Sequence, residues 1–210
     1  MLKVLIADDH PVVREGLKQI VTETQDMVVA GEANNGQEVL NKIREGDYDV
    51  IVLDITMPGR NGMDVLRQLR SERPRLPVLI LSIHSEEQYA LRALRAGASG
   101  YLTKESAPDE LVVAIRKVSW GGKYISSSLA EKLAFKLEVG REQAPHETLS
   151  DREYQVMCMI ASGKTVTEIA QELYLSEKTI STYRTRILEK MQMKNNAELT
   201  YYAIKNGLVD

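Results

Sequence analysis

Asp8 and Asp9 directly follow the apolar run Val4-Leu5-Ile6-Ala7, Asp54 follows Val50-Ile51-Val52-Leu53, and Ser82 follows Val78-Leu79-Ile80-Leu81. Lys104 stands two residues beyond Gly100-Tyr101-Leu102. A carboxylate can attack phosphorus in line and form an acyl phosphate when a cation and an ammonium spread the developing charge. Three carboxylates drawn together repel one another unless a cation joins them, and hard oxygen ligands at this density favour Mg²⁺, which keeps positions open for phosphate and water. Asp54 suits the nucleophile. Asp9, Asp54 and the backbone carbonyl of Thr56 would hold the metal, with Asp8 acting directly or through a metal-bound water. Lys104 would pair with the phosphoryl oxygens and Ser82 would donate its hydroxyl to them. Tyr101, three residues before Lys104, would swing inward when that hydroxyl moves, making a two-state switch.

Those residues need elements that bring them to one place. Five short apolar runs alternate with segments of helical spacing, the pattern of βαβ units and a parallel sheet. The second run is Val28-Val29-Ala30, and the lack of polar alternation in all five predicts burial on both faces. Helices are expected around Leu17-Ile20-Val21, Val39-Leu40-Ile43, Val65-Leu66-Leu69, Tyr89-Leu91-Leu94 and Leu111-Ile115-Val118. In such a sheet the carboxyl ends of the strands share one edge, where ligands bind at the point of strand-order reversal.

Each residue also has an ordinary explanation. Asp8 and Asp9 can cap the helix starting near Pro11, Asp54 can be a turn carboxylate before Met57-Pro58-Gly59, Ser82 a loop hydroxyl, Lys104 a solvated lysine and Tyr101 a core side chain. The conjunction argues otherwise, because every piece falls at the end of a different strand on one edge. Phosphatases of the haloacid-dehalogenase type also use a strand-end Asp with Mg²⁺, but they need a second Asp two residues on. Here that position is Thr56, which speaks against turnover of outside substrates and predicts a protein that is not an enzyme beyond its own phosphorylation and dephosphorylation at Asp54.

Through Asp8-Asp9-His10, Leu53-Asp54-Ile55-Thr56-Met57-Pro58-Gly59, Ser82 and Gly97-Ala98-Ser99-Gly100-Tyr101-Leu102-Thr103-Lys104, residues 1–121 resemble the receiver domains of two-component response regulators. The resemblance implies a flavodoxin-like α/β fold with a five-stranded parallel sheet of order 2-1-3-4-5. It also implies phosphorylation at Asp54 by a histidine kinase and Mg²⁺ at Asp8, Asp9 and Asp54.

After Gly121-Gly122, Ser126-Ser127-Ser128 can cap a short helix through Leu129, Leu133 and Leu137, and Glu138 to Thr148 turns polar. Residues 122–148 are therefore expected to form a linker with a short helix, and 149–210 a second, all-helical domain. It opens at Ser150-Asp151-Arg152-Glu153, a capping-box pattern. Thr165 to Leu173, a tight turn at Tyr174-Leu175, and a second helix from Ser176 to about Met191 have helix-turn-helix spacing. On the second helix Ile180, Ile187, Leu188 and Met191 can face the core, leaving Ser181, Thr182, Thr185 and Arg184 for base edges in a major groove of double-stranded promoter DNA. Thr165, Lys178, Tyr183, Arg186, Lys190 and Lys194 would sit nearer phosphates. Gly163-Lys164-Thr165 mimics the end of a phosphate loop, but the earlier glycine would fall at Cys158, so a nucleotide-binding reading fails.

The segment from Leu149 to about Leu208 resembles the LuxR-type four-helix domain through Leu149-Ser150-Asp151-Arg152-Glu153, Glu168-Ile169-Ala170 and Ser176 to Arg184. With a receiver in front, the chain is similar to the NarL/FixJ family of transcription regulators. That similarity implies a homodimer on DNA, held by a helix from about Ala197 to Lys205 carrying Leu199, Tyr202 and Ile204. Tyr183 departs from the His that many relatives carry there.

Bulk composition agrees with this division of labour. The net charge of -3 excludes an indiscriminately basic nucleic-acid binder. Between Ser176 and Lys194, however, five basic residues face two acidic ones, marking that stretch for phosphates. No apolar run approaches the roughly 20 residues that span a bilayer, the N-terminus lacks a secretory pattern, and the single Cys158 cannot form an internal disulfide. A cytoplasmic protein with no membrane contact is expected.

Overall fold

The computed structural model describes residues 1–83, 86–127, 129–131 and 144–209. The chain divides into two compact units, Met1–Leu129 and Ala130–Asp210. In the first, strands β1 (Leu2–Ala7), β2 (Met27–Ala33), β3 (Val50–Asp54), β4 (Val78–Ser82) and β5 (Gly100–Thr103) alternate with helices α1 (Pro11–Thr22), α2 (Gly36–Glu45), α3 (Gly62–Glu72), α4 (Glu86–Arg95) and α5 (Ala107–Ser119). All pairings are parallel and the order is β2-β1-β3-β4-β5, the receiver fold expected from the sequence.

Every residue of β3 and β4 is buried. Val4, Ile6, Val50, Val52, Leu79, Leu81 and Leu102 form one cluster with Leu17, Val21, Leu111, Ala114, Ile115 and Val118 of α1 and α5. One expectation is corrected. β2 is not buried on both faces: its residues from Val28 to Glu32 are exposed or half-buried, because it is the edge strand and pairs on one side only.

The second unit holds α6 (Asp151–Ala161), α7 (Val166–Glu172), α8 (Glu177–Lys190) and α9 (Asn196–Lys205), preceded by a 3-10 turn at Pro145–Thr148. The capping box at its start is present. Ser150 Oγ accepts from Glu153 N at 3.3 Å, and Glu153 Oε2 accepts from Ser150 N at 2.8 Å. Tyr154, Val156, Met157, Ile169, Ile180, Ile187, Leu199 and Ala203 supply the core. The expected linker helix through Leu133 and Leu137 lies outside the described residues. Among the described residues no helix is long and apolar enough to cross a membrane.

Candidate functional site

Strand register builds the pocket. Ala7 pairs with Leu53, so the next residues, Asp8 and Asp54, emerge side by side where β1 and β3 end. Ser82 closes β4 opposite Thr103, and the Lys104 backbone N–H donates to the Ser82 carbonyl at 2.7 Å, which carries the lysine to the same edge. Its ammonium lies 2.7 Å from Asp8 Oδ2 and 2.8 Å from Asp54 Oδ2. Asp8, Asp54 and Ser82 are buried, while the Asp9 side chain is 17% exposed. Asp54 Oδ1 accepts from Thr56 N at 3.1 Å, leaving the Thr56 carbonyl on the following peptide. Asp8 and Asp9 do not cap α1. Asp8 Oδ1 accepts from His10 N at 2.9 Å, and His10 itself occupies the cap position with no side-chain hydrogen bond to the helix.

The ammonium pairs with two carboxylates and a third, Asp9, stands beside them, an excess of negative charge that suits a divalent cation. One ligand atom from each of Asp8, Asp9, His10 and Asp54 lies within 4.8 Å of all the others. Asp9 Oδ1 lies 2.8 Å from His10 Nδ1 at the rim of this group. The donor set therefore fits a metal ion. Burial pushes the Asp54 carboxyl up to about 6, against the pull of Lys104 and with the help of Asp8. Burial also works against the charge on Lys104, yet Asp54 and Asp8 hold its ammonium above the ordinary range.

In the second unit α7 and α8 meet at a turn in which Tyr174 adopts a left-handed φ of 53° and Leu175 N donates to Ala170 O at 2.9 Å. Thr165 caps α7 and Ser176 caps α8 through Glu168 N and Thr179 N. Ser181, Thr182 and Thr185 line the exposed face of α8, the last two with hydroxyls bonded back to Lys178 O and Ser181 O. Lys178, Thr182, Tyr183 and Arg186 border a depression of about 280 Å³ with Ser176 and Thr179.

Two sequence families match. "Response regulator receiver domain" covers residues 4–116 and "Bacterial regulatory proteins, luxR family" covers residues 147–203. Among curated proteins the chain is similar to response regulator UvrY of Escherichia coli K12, 37% identical over 99% of this chain and 96% of the relative. It is also similar to response regulator GacA of Pseudomonas aeruginosa, 38% identical over 100% of this chain and 99% of the relative. The chain belongs to the two-component response regulators of the LuxR type. A solved structure of the response regulator RcsB from Salmonella enterica serovar Typhimurium, bound to a promoter with the phosphomimetic BeF₃⁻, aligns with a TM-score of 0.60 at 28% identity, covering 96% of this chain and 97% of that one.

In this response regulator Asp8, Asp9, Asp54, Ser82 and Lys104 converge on one sheet edge. Tyr101 is buried, its ring already turned inward. Ser181, Thr182, Thr185, Lys178, Arg186 and Lys194 are exposed on the second unit. Other expected contact residues are engaged within the unit. Arg184 Nε donates to Asn196 Oδ1 at 2.7 Å, tying α8 to α9. Lys190 Nζ lies 2.6 Å from Glu153 Oε2, and this contact holds the Glu153 carboxyl below its usual range against the opposing effect of burial. Leu199 is fully buried and cannot form a dimer surface, and the Tyr202 hydroxyl lies 2.8 Å from His146 Nδ1 within the same unit. The large exposed apolar side chains on α9 are Tyr201 and Ile204. Helical spacing alone could not say which side of α9 its neighbours would cover.

Three residues of the receiver pocket escaped the sequence reading. Arg14 Nη1 donates to the Asp8 carbonyl at 2.8 Å, and its Nε contacts Glu32 Oε2 at 3.3 Å. Asn61, buried, caps α3 through Asp64 N, and Gly62 N donates to Ile55 O, which anchors the loop beyond Asp54. The Asn61-Gly62 pair before an apolar period was a readable helix-start signal.

Proposed function

We propose that this response regulator is a cytoplasmic, phosphorylation-controlled transcription regulator that accepts a phosphoryl group on Asp54 from the phosphohistidine of a histidine kinase. In the step, Asp54 Oδ bonds to phosphorus as the phosphorus–nitrogen bond breaks, and the imidazole leaves with the electron pair. The observation that carries the reading is the Lys104 ammonium set between Asp54 and Asp8 at the carboxyl edge of the sheet. Asp8, Asp9, Asp54 and the Thr56 carbonyl would hold Mg²⁺, which would neutralise charge on the transferring group. Lys104 would pair with one phosphoryl oxygen and Ser82 would donate to another, and a shift of the buried Tyr101 ring with the Ser82 hydroxyl would carry the pocket's state outward. With Thr56 two residues after Asp54, the chain lacks a carboxylate at the position that phosphatases with a strand-end Asp use for acid–base turnover, and the reading is a switch rather than an enzyme.

The output is binding of promoter DNA by α8 as a homodimer on two half-sites. Ser181, Thr182 and Thr185 would face base edges. Lys178, Arg186, Lys194 and Thr165 at the start of α7 would face phosphates. RcsB bound to a promoter supports this reading by likeness. Incubation with an acyl-phosphate donor and Mg²⁺, followed by intact mass and DNA affinity, tests it. One added phosphoryl group and tighter promoter binding are expected in the parent protein and neither in Asp54→Asn; full gain of affinity in Asp54→Asn overturns the reading.

A further inference from the structure

Arg70, in the last turn of α3, carries an unpaired edge. Its Nη1 donates to two backbone carbonyls of the α3–β4 turn, Pro74 O at 2.9 Å and Leu76 O at 2.8 Å, and these bonds fix the plane of the guanidinium. Its other edge, Nε and Nη2, is buried and has no hydrogen-bond partner. That edge is the fork on which an arginine takes two oxygens at once. Elsewhere in the same domain the fork is filled. Arg44 offers Nε and Nη2 to the two oxygens of Glu72 at 3.2 and 2.8 Å, and Arg116 offers them to Asp26 at 2.8 and 2.9 Å.

A second cation stands beside the unfilled fork. A Cβ on Gly97 would lie 2.8 Å from Arg70 Cδ and 3.1 Å from its Nε, so the arginine runs against the turn that leads into β5. In that turn the Ala98 carbonyl accepts from Lys123 Nζ at 2.6 Å. Burial lowers the pKa of both groups, and the Arg70 charge lowers that of Lys123 further. Among the described residues no carboxylate pairs with either. Two like charges beside buried, unsatisfied donors call for an acceptor from outside the chain.

We propose that Arg70 and Lys123 form an anion site at the amino edge of β4 and β5, the sheet edge opposite to the one that holds Asp54, and that it takes a phosphate group. The fork takes two phosphate oxygens. Lys123 is exposed, and its side chain, turning from the Ala98 carbonyl, admits the group and takes a third oxygen. A carboxylate has no third oxygen and a single charge, whereas a phosphate group brings about 1.5–2 negative charges at neutral pH to meet two cations. Once bound, it ties the α3–β4 turn to the α4–β5 turn. Inorganic phosphate and a small phosphate monoester share this chemistry.

The test is calorimetric titration of the full chain with inorganic phosphate, at constant ionic strength in metal-free buffer, in the parent, Arg70→Gln, Lys123→Gln and Lys178→Ala proteins. Saturable binding of one phosphate is expected in the parent and in Lys178→Ala, whose lost cation lies on the second unit. Affinity should fall at least about tenfold in Arg70→Gln and in Lys123→Gln, each of which loses a charged donor. Lys123→Gln keeps a donor for the Ala98 carbonyl at an exposed position, so it reads the site even where Arg70→Gln fails to fold. Phosphate should also raise the thermal melt of the parent more than that of Lys123→Gln. Acetate should bind at least about tenfold more weakly than phosphate. Glycerol phosphate separates the two sources: binding within about threefold of inorganic phosphate assigns the site to a monoester, and exclusion assigns it to the free ion. Absence of saturable binding in the parent, parent-like affinity in Lys123→Gln, or acetate binding as tight as phosphate overturns the proposal. So does an equal loss in Lys178→Ala, which would place the ion on the DNA-binding face.

Discussion

Gly62 and Asp54 meet with no space for a side chain between them: a Cβ on Gly62 would stand 2.0 Å from the Asp54 carbonyl oxygen and 2.9 Å from its carbon. The start of α3 thus presses on the backbone that aims the Asp54 carboxylate. Gly62→Ala must move one or the other. It is expected to destabilise the receiver by about 3 kcal/mol and to slow phosphoryl uptake, checked by urea melts and by intact mass after a timed exposure to donor. Parent-like behaviour in both would show that the contact relaxes freely.

Asp54 should make stability depend on pH in an unusual direction. Its folded value is near 6 against 3.8 for a free carboxyl, so the folded state holds the proton more tightly. The stabilisation from that proton is complete below about pH 4 and lost as pH rises through about 6. At neutral pH without divalent ions, Asp54→Asn is expected to be more stable than the parent by about 1–3 kcal/mol, part of the gain being offset because Lys104 loses a partner. Urea melts near pH 7.5 and pH 4 check this, and an advantage that persists undiminished at pH 4 would contradict it.

Lys104→Met removes the ammonium between two buried carboxylates. A loss of about 3–5 kcal/mol at neutral pH is expected, along with loss of phosphoryl uptake. In the Asp54→Asn background the same substitution should cost less, since one carboxylate is already neutral. A double-mutant cycle with no coupling would deny the ion pair its role.

Basic residues of the second unit should separate by function. Lys178→Ala and Arg186→Ala are each expected to weaken promoter binding and to lower the salt slope by about 1, without changing stability. Lys190→Ala should do the reverse, costing stability through Glu153 while leaving the salt slope near the parent's. Salt titrations of binding and thermal melts of the three proteins decide the matter.

On α9, Tyr201→Asp with Ile204→Asp should preserve the thermal melt and reduce occupancy of paired half-sites, because both side chains are exposed. Leu199→Asp should unfold the second unit, as it buries a charge in the core. Melts and binding to single against paired half-sites distinguish the two outcomes.

Much of this protein was written in local pattern. Apolar runs ending in Asp8-Asp9, Asp54 and Ser82 announced both the parallel sheet and the edge where its chemistry sits, because in a βαβ chain the carboxyl ends of strands must share one side. The capping box at Ser150 and Glu153, and the spacing around the Tyr174 turn, located the helices of the second unit just as directly. Distances along the chain carry no such information about partners. That Lys190 pairs with Glu153, Arg184 with Asn196 and Tyr202 with His146, 37, 12 and 56 residues away, depends on how helices pack. The tightness of Gly62 against Asp54 likewise arises only when β3 and α3 fold back on each other. Sequence determined which groups would stand at the functional edge, since strand polarity and hydrophobic period are local properties. Tertiary structure alone decided which charges remain free for a ligand and which are spent inside the domain, because a side chain's partner is set by packing between elements that the sequence keeps far apart.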